Sequence, residues 1–399
     1  MNKKMIKKLA AEYGTPLLII DHDKIRKNYR EFRKRLPNVQ IYYAIKANPI
    51  PEIIETLYAE GASFDVASIP ELRLVLDTVT PLLQRDSIPL PDFIWKNIIY
   101  ANPVKKSDSL PELDAYKPLL TYDSIEEMKK IKANCPNAGL LLRMKISDKG
   151  SLVKFSNKFG IEPEKAVDLI GETIRAGLIV EGVSFHVGSQ CNNFDNFVKA
   201  LESAKNIFQV AESKGYRIGE PSTRGLPIKQ IDIGGGFPIQ YNGKDKAFPE
   251  LARIINKTVK KLFGDEKVEI LAEPGRFLVA NAGTLIASVI LAKHSTQKPC
   301  YHINDGIYHT FSAVVYDHFT PDLKAIKTGK KIDCHVFGPT CDGLDQLSTN
   351  SYIHNTSKIF LPRLEEGDLI FQENLGAYSN ASSTNFNGMP PAKIININN

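Results

Sequence analysis

The 399-residue chain has few cysteines, no long apolar run and no dense block of like charge. No stretch approaches the roughly 20 apolar residues that cross a bilayer, and no apolar signal core follows the basic residues 1–8. The 51 basic and 45 acidic residues are scattered and leave a net charge of +6, which does not favour a nucleic-acid surface. The five cysteines include no C-x-x-C pair, which argues against a disulfide framework and a zinc site. The sequence therefore predicts a cytoplasmic protein that binds no metal, no nucleic acid and no membrane.

Between residues 41 and 275, short β-rich apolar runs alternate with segments of helical periodicity. This alternation predicts βα units and a parallel sheet, and about eight such units fit a closed (β/α)8 barrel of about 250 residues. A doubly wound sheet shows the same alternation, so periodicity alone leaves both folds open. The long connection 77–95 carries several prolines and is predicted to be a surface excursion.

After about residue 280 the pattern changes to strands separated by turns, which predicts a separate β domain. The opening strand, 17–21, precedes the first barrel unit and is predicted to join that domain. The expected architecture is therefore an α/β chain with a (β/α)8 barrel at 22–279. A β-sandwich or β-barrel-like domain would be formed by 1–21 together with 280–399.

Lys46 lies in YAIKANP (43–49), at the end of the first predicted barrel strand. The chemistry of such barrels sits at the C-terminal strand ends, where a partly buried amine can form an imine with a carbonyl cofactor. An isolated lysine is more often a surface side chain. Lys46 can therefore be assigned to a cofactor site only if other functional residues lie at the same end of the barrel.

Two motifs follow the last two predicted barrel strands, where the phosphate sites of barrels commonly form. Gly234, Gly235 and Gly236 would let the backbone approach an anion, although a plain tight turn has the same composition. Glu273 and Arg276, in EPGR, suit a pyridine nitrogen and a phosphate, although a local ion pair is the simpler explanation.

Other candidate residues are equally ambiguous when each is taken alone. His186 and Ser189 end the sixth predicted strand, where an imidazole can stack on a ring and a hydroxyl can donate to phosphate. Cys341 and Asp342 lie in GPTCDGLD, in the β domain; a thiol can donate a proton and a carboxylate can bind an ammonium group. More often, a histidine at such a position is a hydrogen-bonded core residue and a free cysteine is a buried apolar one. Two further candidate segments, YDH (316–318) and GAY (376–378), are in isolation only polar strand ends or turns.

Eight segments nevertheless occur in the order and approximate spacing of one known family. Across them, from residue 16 to 386, the chain resembles the ornithine/diaminopimelate decarboxylases, which use pyridoxal 5'-phosphate (PLP). The resemblance implies an alanine-racemase-like PLP-binding barrel, a C-terminal β domain, and a homodimer whose active sites are shared between subunits. The segments are YAIKANP, FDVAS, FHVGSQ, DIGGGFP, EPGR, YDH, GPTCDGLD and ENLGAY.

The resemblance also implies roles for the cofactor-binding residues. Lys46 would bind PLP as a Schiff base, His186 would stack on its ring, and Glu273 would pair with the pyridine nitrogen. Asp65 and Arg143 would lie close to the cofactor ring. The residues expected around the phosphate are Ser189, Gly234, Gly235, Gly236, Arg276 and Tyr378.

For the substrate, the resemblance implies that Cys341 and Asp342 reach into the partner subunit's site. Cys341 would reprotonate the α-carbon after CO2 has left. Tyr316 and Asp317 would line the substrate pocket, and Asp317 and Asp342 would bind a distal ammonium group.

The expected activity is decarboxylation of a small-molecule basic L-amino acid, above all L-ornithine to putrescine in polyamine biosynthesis, with lysine or arginine as further candidates. Diaminopimelate decarboxylases usually carry C-E-S-x-D where this chain has Cys341-Asp342-Gly343, which favours the ornithine branch. A single acidic residue, Asp148, stands where eukaryotic ornithine enzymes have two, and this leaves the exact basic substrate open. Alternatives are a diaminopimelate decarboxylase, a non-catalytic ornithine-decarboxylase-like binding protein, and a PLP racemase, which Glu273 disfavours.

Overall fold

The computed structural model describes residues 1–220, 222, 228–241, 245–294, 297–348 and 358–399. The chain divides into two compact units. The barrel unit comprises Lys27–Phe277, and the β unit comprises Met1–Arg26 together with Leu278–Asn399. Among the described residues, no helix is long and apolar enough to cross a membrane.

The chain begins in the β unit with α1 (Lys3–Tyr13) and β1 (Leu17–Asp21). The side chain of Asn2 caps α1 by accepting a hydrogen bond from a backbone amide in its first turn. Ile6 and Leu9 of α1 are buried in a cluster that includes apolar side chains of β1. The helix is therefore held by apolar packing, and the sequence pattern did not predict it.

Eight parallel strands form a closed barrel in the barrel unit. They are β2 (Val39–Ala44), β3 (Ser63–Val66), β4 (Ile98–Tyr100), β5 (Leu119–Tyr122), β6 (Gly139–Arg143), β7 (Ile179–Ser184), β8 (Lys229–Asp232) and β9 (Val268–Ala272). Each strand pairs with the next in the chain, and β9 pairs with β2 to close the barrel. The predicted (β/α)8 barrel is confirmed, and the doubly wound alternative is wrong.

Helices precede, connect and follow the barrel strands. They are α2 (His22–Arg35), α3 (Pro51–Glu60), α4 (Ile69–Arg85), α5 (Leu90–Asn97), α6 (Leu110–Asp114), α7 (Ile125–Asn134), α8 (Pro163–Arg175), α9 (Asp195–Ser213), α10 (Phe248–Phe263) and α11 (Arg276–Val279). The predicted surface excursion 77–95 is largely helical, because it contains the end of α4 and most of α5, joined by the exposed residues 84–89. Val79 and Leu83 are buried on either side of Pro81, and this packing holds the helix together across the proline.

Besides α1, the β unit contains a mixed sheet and a short helix, α12 (Ala313–Tyr316). Its further strands are β10 (Gly283–Lys293), β11 (Cys300–Ile303), β12 (Lys324–Ala325), β13 (Ile332–Phe337), β14 (Ile359–Leu361), β15 (Leu369–Glu373) and β16 (Lys393–Ile397). The strand order is β12-β15-β10-β11-β13-β14, and β1 pairs antiparallel with β10 and parallel with β16. This pairing confirms that the N-terminal strand joins the C-terminal β structure.

Candidate active site

The C-terminal ends of the barrel strands carry all of the predicted cofactor residues except Tyr378. Because the strands are parallel, residues that follow different strands meet at the same end of the barrel. Lys46 follows β2 in a short 3-10 turn, Asp65 lies in β3, and Arg143 is the last residue of β6. The others are His186 and Ser189 after β7, Gly234, Gly235 and Gly236 after β8, and Glu273 and Arg276 after β9.

Lys46 lies between two buried residues, Ile45 and Ala47, and its own side chain is 42% exposed. Its Nζ lies 3.3 Å from Oδ2 of Asp65, whose side chain is only 1% exposed. The other oxygen, Oδ1 of Asp65, is buried without a hydrogen-bond partner among the described residues. A buried oxygen of this kind is costly, so it marks a place where a polar ligand group can bind.

His186 is held as a neutral ring. The Gly188 amide donates a hydrogen bond to Nδ1 at 3.0 Å, so the ring proton resides on Nε2. Burial lowers the pKa of His186 well below its ordinary value, and the positive charges of Arg143 and Lys46 lower it further. The ring of Phe155 contacts the imidazole at a centroid distance of 4.8 Å and an angle of 87°.

Glu273 forms a carboxyl pair with Asp232, the last residue of β8. Both acids are buried and both have raised pKa values, so we infer that the pair retains one proton. Burial raises the pKa of Glu273 well above its ordinary value, and Asp232 and Asp65 raise it further. Sequence reasoning missed Asp232, although its place at a strand end, two residues before the glycine run, was a usable signal.

A glycine turn and an arginine lie side by side near this pair. Gly234 and Gly236 have φ values of 63° and 92°, and a Cβ at Gly236 would lie 2.3 Å from the Gly188 carbonyl oxygen. The guanidinium of Arg276 donates to the hydroxyl of Ser189 at 2.8 Å and to that of Tyr241 at 2.9 Å. A buried guanidinium among hydroxyls, beside a turn with close backbone approach, suits a phosphate group.

Arg143 adds a half-buried guanidinium to the C-terminal end of the barrel strands, here called the barrel mouth. Burial lowers the pKa of its guanidinium, while Glu273 and Asp123 act in the opposite direction. The guanidinium lies over the ring of Phe159, 5.0 Å from its centroid. The barrel mouth therefore combines three cations, Lys46, Arg143 and Arg276, with several carboxyl groups, and its charge balance depends on the proton that Glu273 and Asp232 retain.

In the β unit, Cys341 lies exposed in a loop that two side chains, Asn387 and Asp345, fix by hydrogen bonds. Oδ1 of Asn387 accepts hydrogen bonds from the Cys341 amide at 3.1 Å and from its thiol at 3.4 Å. Oδ2 of Asp345 accepts from the amide and the hydroxyl of Thr340, at 3.0 and 2.7 Å. Asp342 follows Cys341 in the same loop. Sequence reasoning missed Asn387, because an asparagine in a turn carries no functional signal.

The remaining predicted residues also lie in the β unit. Tyr316 ends α12 and is 64% exposed, and Asp317, which follows it, is buried. Tyr378 has a φ of 54°, a left-handed conformation that is uncommon for a residue other than glycine. Such strained residues are concentrated at ligand-binding segments, which is consistent with a binding role for Tyr378.

Comparison with known proteins identifies the family. Residues 22–280 match the pyridoxal binding domain of the pyridoxal-dependent decarboxylases. The lysine/ornithine decarboxylase of Selenomonas ruminantium is 34% identical over 99% of this chain and 93% of that protein. The crystal structure of lysine/ornithine decarboxylase from Vibrio vulnificus, complexed with putrescine, has a TM-score of 0.85 and 33% identity over 99% of this chain and 98% of that one. Antizyme inhibitor 2 of Xenopus laevis is 33% identical over 93% of this chain and 78% of that protein.

The barrel mouth fits the cofactor of that family. It offers an amine at Lys46, a neutral imidazole at His186, an acid at Glu273 and a guanidinium at Arg276. The buried Oδ1 of Asp65, which has no hydrogen-bond partner in the part of the chain that the structure describes, belongs to the carboxylate beside the amine. With the match over the barrel and the likeness over nearly its whole length, the chain belongs to the pyridoxal-dependent decarboxylase family, and PLP is its cofactor.

Proposed function

We propose that this chain decarboxylates a basic L-amino acid, with L-ornithine as the preferred substrate, putrescine as the product, and lysine or arginine as further substrates. The observation that carries the proposal is the barrel mouth, where Lys46, a neutral His186 and the proton-sharing Glu273 lie at one end of the barrel. PLP, when bound there, accepts the electron pair that the departing CO2 leaves behind. The lysine/ornithine decarboxylase from Selenomonas ruminantium supports a basic substrate.

Lys46 and Arg276 would hold the two ends of the cofactor. The Nζ of Lys46 would carry the covalent attachment, and Asp65, 3.3 Å away, orients that amine. Arg276 and Ser189, already joined by a hydrogen bond of 2.8 Å, would bind the phosphate through charge-assisted contacts. The glycine turn would add backbone amides to the same group.

Glu273 and His186 would set the electronic environment of the ring. Glu273 already holds a proton with Asp232, so it can keep a proton at the pyridine nitrogen, where electrons must be accepted. His186 is neutral, so it can stack on the ring without adding a positive charge beside Lys46 and Arg143. The two residues together would stabilise the negative charge that develops as CO2 leaves.

Cys341 would donate the proton that completes the reaction at the α-carbon. Its thiol is exposed on the β unit, and Asn387 directs it. We propose that it acts in the site of a partner subunit, so the active unit would be a homodimer with shared sites. Asp342, beside Cys341, and the buried Asp317 would bind the distal ammonium group of the substrate. The cytoplasmic location stays a prediction from the cysteine pattern.

A second candidate function is a non-catalytic binding protein, because Antizyme inhibitor 2 of Xenopus laevis is among the similar proteins. This chain retains Lys46, His186, Glu273, Arg276 and Cys341, which a protein without cofactor chemistry has no need to keep. We therefore favour the enzyme. An absent cofactor absorption band in the purified protein with added PLP would favour the second candidate.

The test is CO2 release from ornithine, lysine, arginine and meso-diaminopimelate, measured in parallel with purified, PLP-supplemented protein. Release from one or more basic amino acids, highest with ornithine, is expected. Release from diaminopimelate alone would overturn the substrate assignment and leave the reaction type intact. If the protein binds PLP but releases no CO2 from any of the four amino acids, the decarboxylase proposal is contradicted.

A further inference from the structure

A loop between β6 and α8, residues 145–160, lies beside His186 and is here named the brace loop. It pairs with the segment that follows β7, because the Leu152 amide donates to the Ser189 carbonyl at 2.8 Å. The Ser189 amide donates in return to the Val153 carbonyl at 2.9 Å. The brace loop is therefore attached to the backbone that carries both His186 and Ser189.

Asp148 fixes the fold of the brace loop. Its side chain is buried, and Oδ2 accepts hydrogen bonds from the amides of Phe155 and Ser156, each at 2.9 Å. Burial alone would raise the pKa of Asp148, but the hydrogen bonds from Ser156 and Phe155 outweigh it and lower that pKa. The carboxylate is thus ionised at neutral pH and directed at the loop's own backbone.

Phe155 joins this anchored loop to His186. Its ring meets the imidazole almost perpendicularly, with centroids 4.8 Å apart. The Gly188 amide fixes the same imidazole at Nδ1, at 3.0 Å. The hydrogen bond restrains the ring at one atom, and the aromatic contact restrains its plane, so the two together define one orientation.

We propose that Phe155 and Asp148 are positioning residues that hold the plane of His186 against the cofactor ring. The proposal rests on the stacking role that the proposed function gives to His186. Phe155 acts through direct contact with the imidazole, and Asp148 acts through the backbone of Phe155. Neither residue needs to touch the cofactor.

The test measures the dissociation constant of PLP by titrating the cofactor absorption band. Phe155→Leu keeps an apolar side chain but removes the aromatic edge, so the constant should rise about two- to ten-fold, the effect of one aromatic pair. Asp148→Asn should shift it in the same direction. Phe155→Tyr restores the aromatic edge and should bind like the unchanged protein. Lys154→Ala, at an exposed neighbouring position, is the matched control and should have no effect.

A double-mutant cycle with His186→Ala distinguishes a brace from a general effect on folding. The effect of Phe155→Leu on the dissociation constant should vanish once the imidazole is gone. If the full effect persists, or if Phe155→Tyr binds as weakly as Phe155→Leu, the brace is wrong while the proposed function stands. If the unchanged protein binds no PLP, or if His186→Ala binds as tightly as the unchanged protein, the stacking role fails and the brace with it.

Discussion

Replacement of Asp232 by asparagine should stabilise the PLP-free protein at neutral and alkaline pH. Asp232 and Glu273 are both buried and share a proton, so the native state retains a proton that the unfolded chain releases in the ordinary carboxyl range. Native stability must therefore fall as the pH rises above that range. The asparagine keeps the shape, and its side-chain oxygen can still accept the 2.8 Å hydrogen bond that the Gly234 amide donates to Asp232. The substitution removes one of the two buried acids.

The magnitude follows from the charges involved. Two like charges in contact repel by about 4 kcal/mol at an effective dielectric constant of about 20, and proton sharing relieves part of that repulsion. We expect Asp232→Asn to raise the free energy of unfolding by about 1–3 kcal/mol at pH 8. The gain should shrink towards pH 5, where the unfolded chain begins to bind the same protons.

The assay is urea unfolding of the PLP-free protein at pH 5 and pH 8, because bound cofactor would add its own stabilisation. Asp168→Asn is the matched control, since that side chain is 71% exposed and pairs with Lys214 at the surface. The control should change stability by less than about 0.5 kcal/mol at either pH. Equal or lower stability of Asp232→Asn at pH 8, or a gain independent of pH, would refute the shared proton.

Four further predictions concern activity, subunit sharing and cofactor binding. Lys46→Ala should abolish turnover, and substantial remaining CO2 release would contradict its assignment. Cys341→Ala should divert part of the flux from the amine to transamination products; an unchanged product ratio, measured by chromatography, would show that the thiol does not protonate the α-carbon. Mixing Lys46→Ala with Cys341→Ala subunits should restore some activity if the active sites are shared between subunits. No recovery despite proven subunit exchange would argue against shared sites. Arg276→Lys cannot reach both Ser189 and Tyr241, so the dissociation constant of PLP should rise about 10- to 100-fold, the effect of one charge-assisted hydrogen bond. Unchanged binding would show that Arg276 does not hold the phosphate.

The barrel could be predicted because its strands are short apolar runs that end in polar or glycine residues. Parallel strands place all of their C-terminal ends at one end of a barrel, so Lys46, His186 and Glu273 were expected near each other although they are far apart in sequence. The glycine run was visible in the sequence because this turn needs residues without a side chain. A Cβ at Gly236 would lie only 2.3 Å from the Gly188 carbonyl oxygen. Local pattern and topology placed these residues at one end of the barrel, and their roles were implied by the family resemblance.

The residues that sequence reasoning missed act through contacts that no local pattern encodes. In the sequence, Phe155 is an ordinary aromatic residue in a polar loop. Its positioning role follows from its contact with the imidazole of His186, which lies at another strand end with its ring centroid 4.8 Å away. Asp148 was noted only as a single acid where eukaryotic ornithine enzymes have two, but its carboxylate accepts hydrogen bonds from the amides of Phe155 and Ser156. Asn387 lies 46 residues from the thiol that it directs.

The sequence by itself determined the architecture and the kinds of side chain at the strand ends, because periodicity and strand termini are local properties of the chain. Only the tertiary structure decided the protonation states. The neutral form of His186 depends on the Gly188 amide and on burial, and the proton of Glu273 depends on burial and on Asp232 from the neighbouring strand. A pKa is set by desolvation and by charges that approach through space, so it exists only once the chain has folded.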